Sequence, residues 1–75
     1  MSEDLRYRVA LFQSVSVAMK AESVLKAAGA PYKIIPVPKA ISSECGICVR
    51  FSVSDNDQVT GLLSEAGIRC EIKDL

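Results

Sequence analysis

An α+β fold is predicted here: four antiparallel strands with two helices on one face, in the order strand, helix, strand, strand, helix, strand. Three observations predict it. The chain matches itself when shifted by 38 residues. Its strand candidates alternate with period two, while its helix candidates carry one apolar stripe each. A glycine, Gly29 or Gly67, follows each stripe and supplies a helix stop.

The self-match is one of pattern and runs without a gap. Val9 falls on Ile47, Leu11 on Val49, Ala21 on Val59, Val24-Leu25 on Leu62-Leu63, Ala28-Gly29 on Ala66-Gly67, and Ile34 on Ile72. In the first half, Tyr7, Val9 and Leu11 alternate with Arg6, Arg8 and Ala10, as in a half-buried strand. Ser14 and Ser16 are each able to cap a helix N-terminus. Val17, Ala18, Ala21, Val24, Leu25 and Ala28 then form one helical stripe. Pro31 bars continuation, and Tyr32 to Val37 reads as a second strand that Pro36 and Pro38 confine to an edge.

In the second half Ile47, Val49 and Phe51 alternate with Cys48 and Arg50. Ser54 stands three residues before Asp57, close to a capping box. Val59, Leu62, Leu63 and Ala66 make the stripe, and Ile68, Cys70 and Ile72 alternate with Arg69, Glu71 and Lys73 in a last strand. Right-handed crossovers within each half and a hairpin between them give a ferredoxin-like sandwich with spatial strand order 4-1-3-2. Both helices then lie on one face. The other carries Arg6, Arg8, Arg50, Arg69, Glu71 and Lys73, a mixed-charge surface that stays in water or pairs with a second subunit as a homodimer.

Composition narrows the function classes. Seventy-five residues make one domain (residues 1–75, with its core over roughly 6–73). A chain this short buries only about 60% of its unfolded surface. Nine basic and nine acidic residues cancel, without a run of either sign, so the basic stripe of a nucleic-acid binder is missing. Two Phe, two Tyr and no Trp leave few platforms for stacking bases. The opening Met1-Ser2-Glu3-Asp4 is acidic where a signal peptide is basic. No apolar stretch approaches the roughly 20 residues of a membrane span. The expectation is a cytoplasmic protein that binds neither nucleic acid nor membrane. Histidine is absent, which removes the commonest general base and metal ligand. With no phosphate loop or cofactor cradle, the chain is expected to use no cofactor and not to be a complete enzyme.

One segment has no counterpart in the first half. Residues 38–45, Pro-Lys-Ala-Ile-Ser-Ser-Glu-Cys, join the second and third strands, although a hairpin needs only about two to five loop residues. Gly46 follows, a residue that lets backbone approach a ligand or take a positive φ. In the expected topology this loop shares one sheet end with the start of the first helix, near Gln13 to Ser16. Unpaired amides and the helix dipole favour an anion there, and a thiolate near such a terminus has its pKa lowered from about 8.5. Lys39 adds positive charge, and Glu44 works the other way. The candidate site is therefore Cys45, with Lys39, Ser42, Ser43, Gly46, Ser14 and Ser16 around it.

The loop Ser42-Ser43-Glu44-Cys45-Gly46, the following Arg50-Phe51, the earlier Phe12-x-Ser14-Val15-Ser16 and Lys20-Ala21-Glu22 together resemble the selenium/sulfur (Se/S) carrier protein-like family of small bacterial and archaeal domains. The resemblance spans roughly residues 7 to 73. It implies a sulfur or selenium carrier, with Cys45 taking up a persulfide or selenopersulfide, and donor and acceptor proteins as partners. Ser42, Ser43 and Gly46 would leave room and hydrogen bonds for the charged adduct.

The cysteines differ in setting. Cys45 follows polar residues and precedes glycine, unlike a buried structural cysteine. Cys48 completes a formal CxxC, but four extended residues would separate the two Cα atoms by about 10 Å, against the roughly 7 Å a disulfide allows. A turn at Gly46 would shorten that span. Cys48 is thus either a second thiol or a small residue on the open face of the third strand. Cys70, between Ile68 and Ile72, reads as core. One CxxC without a second pair is a poor zinc signature, so no metal is expected. Two further functions stay open: an interaction or regulatory module pairing through its sheet, and a thiol-disulfide protein using Cys45 and Cys48.

Overall fold

The computed structural model describes residues 6–41 and 46–75. Within them the chain runs β1 (Tyr7–Leu11), α1 (Val15–Ala27), β2 (Lys33–Pro36), β3 (Ile47–Ser52), α2 (Asn56–Glu65) and β4 (Glu71–Asp74), with a 3-10 turn at Val53–Asp55 before α2. The sheet order is β2-β3-β1-β4, which is the expected order read from the other edge. Every neighbouring pair is antiparallel. Pro36 lies on an edge strand, as its missing N–H requires.

α1 begins at Ser14, whose extended backbone (φ −153°) leaves its Oγ free to accept from the Val17 amide at 3.3 Å. This satisfies one of the amide donors that a helix start leaves orphaned. Both helices stop in the same way. Gly29 and Gly67 each take φ +71°. The Ala30 amide reaches the Leu25 carbonyl at 3.0 Å, and the Ile68 amide reaches that of Leu63 at 3.0 Å. These are Schellman closures, and in each the residue beyond the glycine packs beside the one whose carbonyl it caps. Tyr32 ties β2 to α1 by donating its hydroxyl to a Glu22 carboxylate oxygen at 3.2 Å. Burial and then that carboxylate push the Tyr32 phenol pKa above its ordinary value.

The principal core lies between sheet and helices. Ala18, Ala21 and Leu25 of α1 and Val59 and Leu63 of α2 close on Ala10, Phe12, Val49 and Phe51, with Ala30 and Ile68 at the caps. Cys70 and Ile72 pack against it half-buried, as the alternation of the last strand predicted. Both helices thus cover one side of the sheet. A second, smaller cluster of Val9, Leu11 and Cys48 sits on the opposite side, with Ile35, Val37 and Ile41 packed over it.

This second cluster corrects the expected facing of β1. Ala10 and Phe12 meet the helices, whereas Val9 and Leu11 face away from them. The 38-residue self-match sets Val9 on Ile47, but Ile47 packs on the helical side. A slip of one residue turns a strand's side chains to the other face. The second half also carries the 3-10 turn between strand and helix that the first half lacks. Arg8 moves with the correction. It pairs with Asp74 across β1 and β4, Nε to Oδ1 at 2.8 Å, and does not join the mixed-charge face. Arg50, Glu71 and Lys73 lie on that face as expected, since Val9 stands opposite both Arg50 and Lys73, and Leu11 opposite Glu71.

Other boundaries differ slightly. β2 spans Lys33–Pro36, inside the expected 32–37, and β4 begins only at Glu71. The expected capping box shifts as well. Ser52, not Ser54, accepts the backbone bond (from the Ser54 amide, 3.3 Å), and Ser54 Oγ lies 2.9 Å from Ser52 Oγ inside the 3-10 turn.

Two alanine substitutions in α2 and its cap should move stability in opposite directions. Gly67→Ala forces a side chain into the left-handed region and is expected to cost about 1–2 kcal/mol, although no atom crowds the added Cβ. Gly61→Ala, in the body of α2 with the same open space, is expected to stabilise by roughly 0.5–1 kcal/mol. Urea midpoints of the two variants against the parent measure both.

Candidate functional site

β1 ends, α1 starts, β2 ends and β3 starts at one end of the sheet. The β2–β3 ladder continues to Pro36 opposite Ile47, and the Val37 amide then donates to the Gly46 carbonyl at 3.2 Å. That bond closes the neck of the long connection. Beyond the neck, the Ile41 amide donates to the Pro38 carbonyl at 2.9 Å, making a tight turn with Lys39 and Ala40 exposed at its tip. The turn brings Ile41 over Val9, Leu11 and Cys48. Without such a cover, three apolar side chains would stand in water on the face away from the helices.

Of the candidate residues, Ser14, Ser16, Lys39 and Gly46 are placed at this end. Ser14 is committed to capping α1. Ser16 in the first turn is exposed, and that turn holds no acidic residue to offset its dipole. Lys39 is exposed. Gly46 has open space around an added Cβ, and its φ is not positive, so its role here is not a left-handed turn. Ser42, Ser43, Glu44 and Cys45 lie outside the described residues.

Cys48 faces away from the helices, as the strand alternation predicted, but that part of the face is not open. The residue is 0% exposed, beneath the cluster that Ile35, Val37 and Ile41 cover. Cys70 is half-buried, and burial raises its thiol pKa. Cys48 is out of reach of solvent, and less of Cys70 is thiolate at neutral pH than of an ordinary thiol. Among the described residues, no group of three or more Cys, Asp or Glu side chains is placed to hold a metal ion. No helix among them is long and apolar enough to cross a membrane.

A concave site lies toward the other end of the sheet. It is lined by Tyr7, Pro31, Tyr32, Lys33, Arg50, Phe51, Ser52 and Asp55. Lys33 and Arg50 are distant in sequence and become neighbours only when β2 and β3 pair in register. No local motif announces them.

The fold and the first sheet end define a small α+β domain with a Cys-Gly loop rooted where its first helix begins. The profile of the family described as "Putative Se/S carrier protein-like" matches residues 7–72. The chain belongs to that family. No curated protein and no solved structure matches it significantly.

Proposed function

We propose that this domain carries sulfur or selenium on the thiol of Cys45, between a donor and an acceptor protein in a reducing, cytoplasmic setting. Membership of the Se/S carrier-like family carries the reading. The arrangement of the loop's roots supports it. The connection springs from a closed neck at Val37 and Gly46, at the sheet end where α1 presents its uncompensated N-terminus. A persulfide is an anion at neutral pH, and amide dipoles, Lys39 and the hydroxyls of Ser16, Ser42 and Ser43 are groups that favour one. The strand order and the placement of both helices on one side support the ferredoxin-like description of the scaffold.

The transfer needs no net redox partner. The Cys45 thiolate attacks the outer sulfur of a donor persulfide, the donor's S–S bond breaks, and the donor leaves as a thiolate. Cys45 then holds Cys–S–SH. An acceptor nucleophile attacks the outer sulfur and Cys45 leaves as a thiolate, with selenium moving by the same exchange. The burial of Cys48 favours this single-thiol chemistry over a CxxC redox pair, because a resolving thiol must be reachable.

Intact mass measured after incubation with a cysteine desulfurase and cysteine tests the proposal. The parent chain should gain one sulfur atom, Cys48→Ser should keep the gain, and Cys45→Ser should lose it. Loss of two hydrogens under mild oxidant, requiring both Cys45 and Cys48, would establish the redox pair instead.

A further inference from the structure

The cleft lined by Lys33 and Arg50, of about 250 Å³, is formed by the starts of β1 and β2, the end of β3 and the 3-10 turn. Two cations meet in it. Lys33 on β2 stands directly opposite Arg50 on β3, and like charges so placed repel and destabilise a sheet. Neither has a carboxylate partner among the described residues. The other cation of this lateral row, Lys73, is already answered by Glu71 at 3.3 Å.

Arg50 is also held in place. Its guanidinium carbon lies 4.4 Å from the centroid of the Tyr7 ring, so one face of the plane is stacked and the edge N–H groups are left for another partner. Pro31 and Tyr32 form an apolar wall. The Tyr32 hydroxyl is already engaged with Glu22 and is not free for a ligand. Asp55 is the one acidic lining residue and forms an ion pair with neither cation, so the lining keeps an excess of one positive charge.

We propose that this cleft binds a carboxylate, bridged between the Arg50 fork and the Lys33 ammonium, with the body of the ligand against Tyr32 and Pro31. A bound carboxylate removes the Lys33–Arg50 repulsion, and the planar arginine edge matches its two oxygens. The site lies toward the opposite sheet end from the neck at Val37 and Gly46 and does not depend on sulfur transfer. The carboxylate can come from a free organic acid or from an acidic side chain of a partner protein, and the two sources are separable.

The test is an amide NMR titration of the reduced full chain, in one arm with benzoate and in the other with a short peptide rich in Glu and Asp. Shifts are expected to concentrate at Tyr7, Tyr32, Lys33, Arg50 and Ser52 and to weaken as salt is raised. Lys33→Gln, at an exposed position, should weaken binding about tenfold by removing one charge-assisted hydrogen bond. Arg50→Gln should do at least the same. Asp55→Asn should tighten binding, which a general attraction to surface lysines would not do so locally. Saturation by benzoate supports a free acid, and saturation by the peptide alone supports an acidic partner. Shifts scattered over all lysines, no saturation with either probe, or an unchanged affinity in Lys33→Gln overturns the proposal.

Discussion

Leu25→Ala is expected to cost about 3 kcal/mol, within the range for emptying a buried leucine site. Leu25 is 0% exposed where α1 meets the sheet, and its carbonyl anchors the Schellman closure at Gly29. Its neighbours in α1, Ala18 and Ala21, are too small to fill the space. For a domain of this size, 1 kcal/mol corresponds to about 4–8 °C in Tm, so a fall on the order of 12–24 °C should follow. Thermal and urea unfolding of the variant check this. A loss below about 1 kcal/mol would mean that α1 does not press on the sheet at this point.

Alkylation under native conditions should separate the thiols widely. Cys48 is wholly buried and reacts only when the sheet face opens, so it should label at least about a thousandfold slower than free cysteine. Cys70 is half-buried with its pKa raised by desolvation. Less of it is thiolate at neutral pH, and its rate should keep climbing with pH after an ordinary thiol has levelled off. The sign follows from the shift: burial penalises the thiolate, so deprotonation is postponed to higher pH. Under the carrier proposal Cys45 labels first. Timed quenching with iodoacetamide and peptide mass analysis reads all three sites. Labelling of Cys48 as fast as Cys70 would contradict the cover formed by Val37 and Ile41.

Much of this architecture is legible in the residues. Gly29 and Gly67 mark both helix ends because only glycine takes the left-handed conformation without strain. Ser14 marks a start, and Pro36 marks an edge. β1 misled for a definite reason. Val9, Ala10, Leu11 and Phe12 are apolar at four successive positions, so alternation alone does not say which pair meets the helices. Tyr7 and Arg8 tip the choice toward the odd positions, whereas in the structure Ala10 and Phe12 meet the helices and Arg8, on their side, pairs with Asp74. β4 begins later than its pattern because β1 ends at Leu11, opposite Glu71. The cleft of Lys33 and Arg50 depends on a cross-strand register that no window of sequence contains. The root of the Cys-Gly loop was readable from topology, and the packing of Ile41 against the sheet was not.

The reversed facing of β1 has a further consequence for how such a chain can be rearranged. Two identical repeats would show the same side of each first strand to the helices, and a single half could then assemble with its own copy. Here the halves are no longer equivalent: the first exposes Val9 and Leu11 to the far side, and the second supplies Cys48 beside them. Ile35 and Val37, with Ile41 of the connection, cover what both leave bare. Removing Ile41 from the connection would strand apolar surface in water, so the turn of residues 38–41 serves the architecture before any chemistry at the loop is considered.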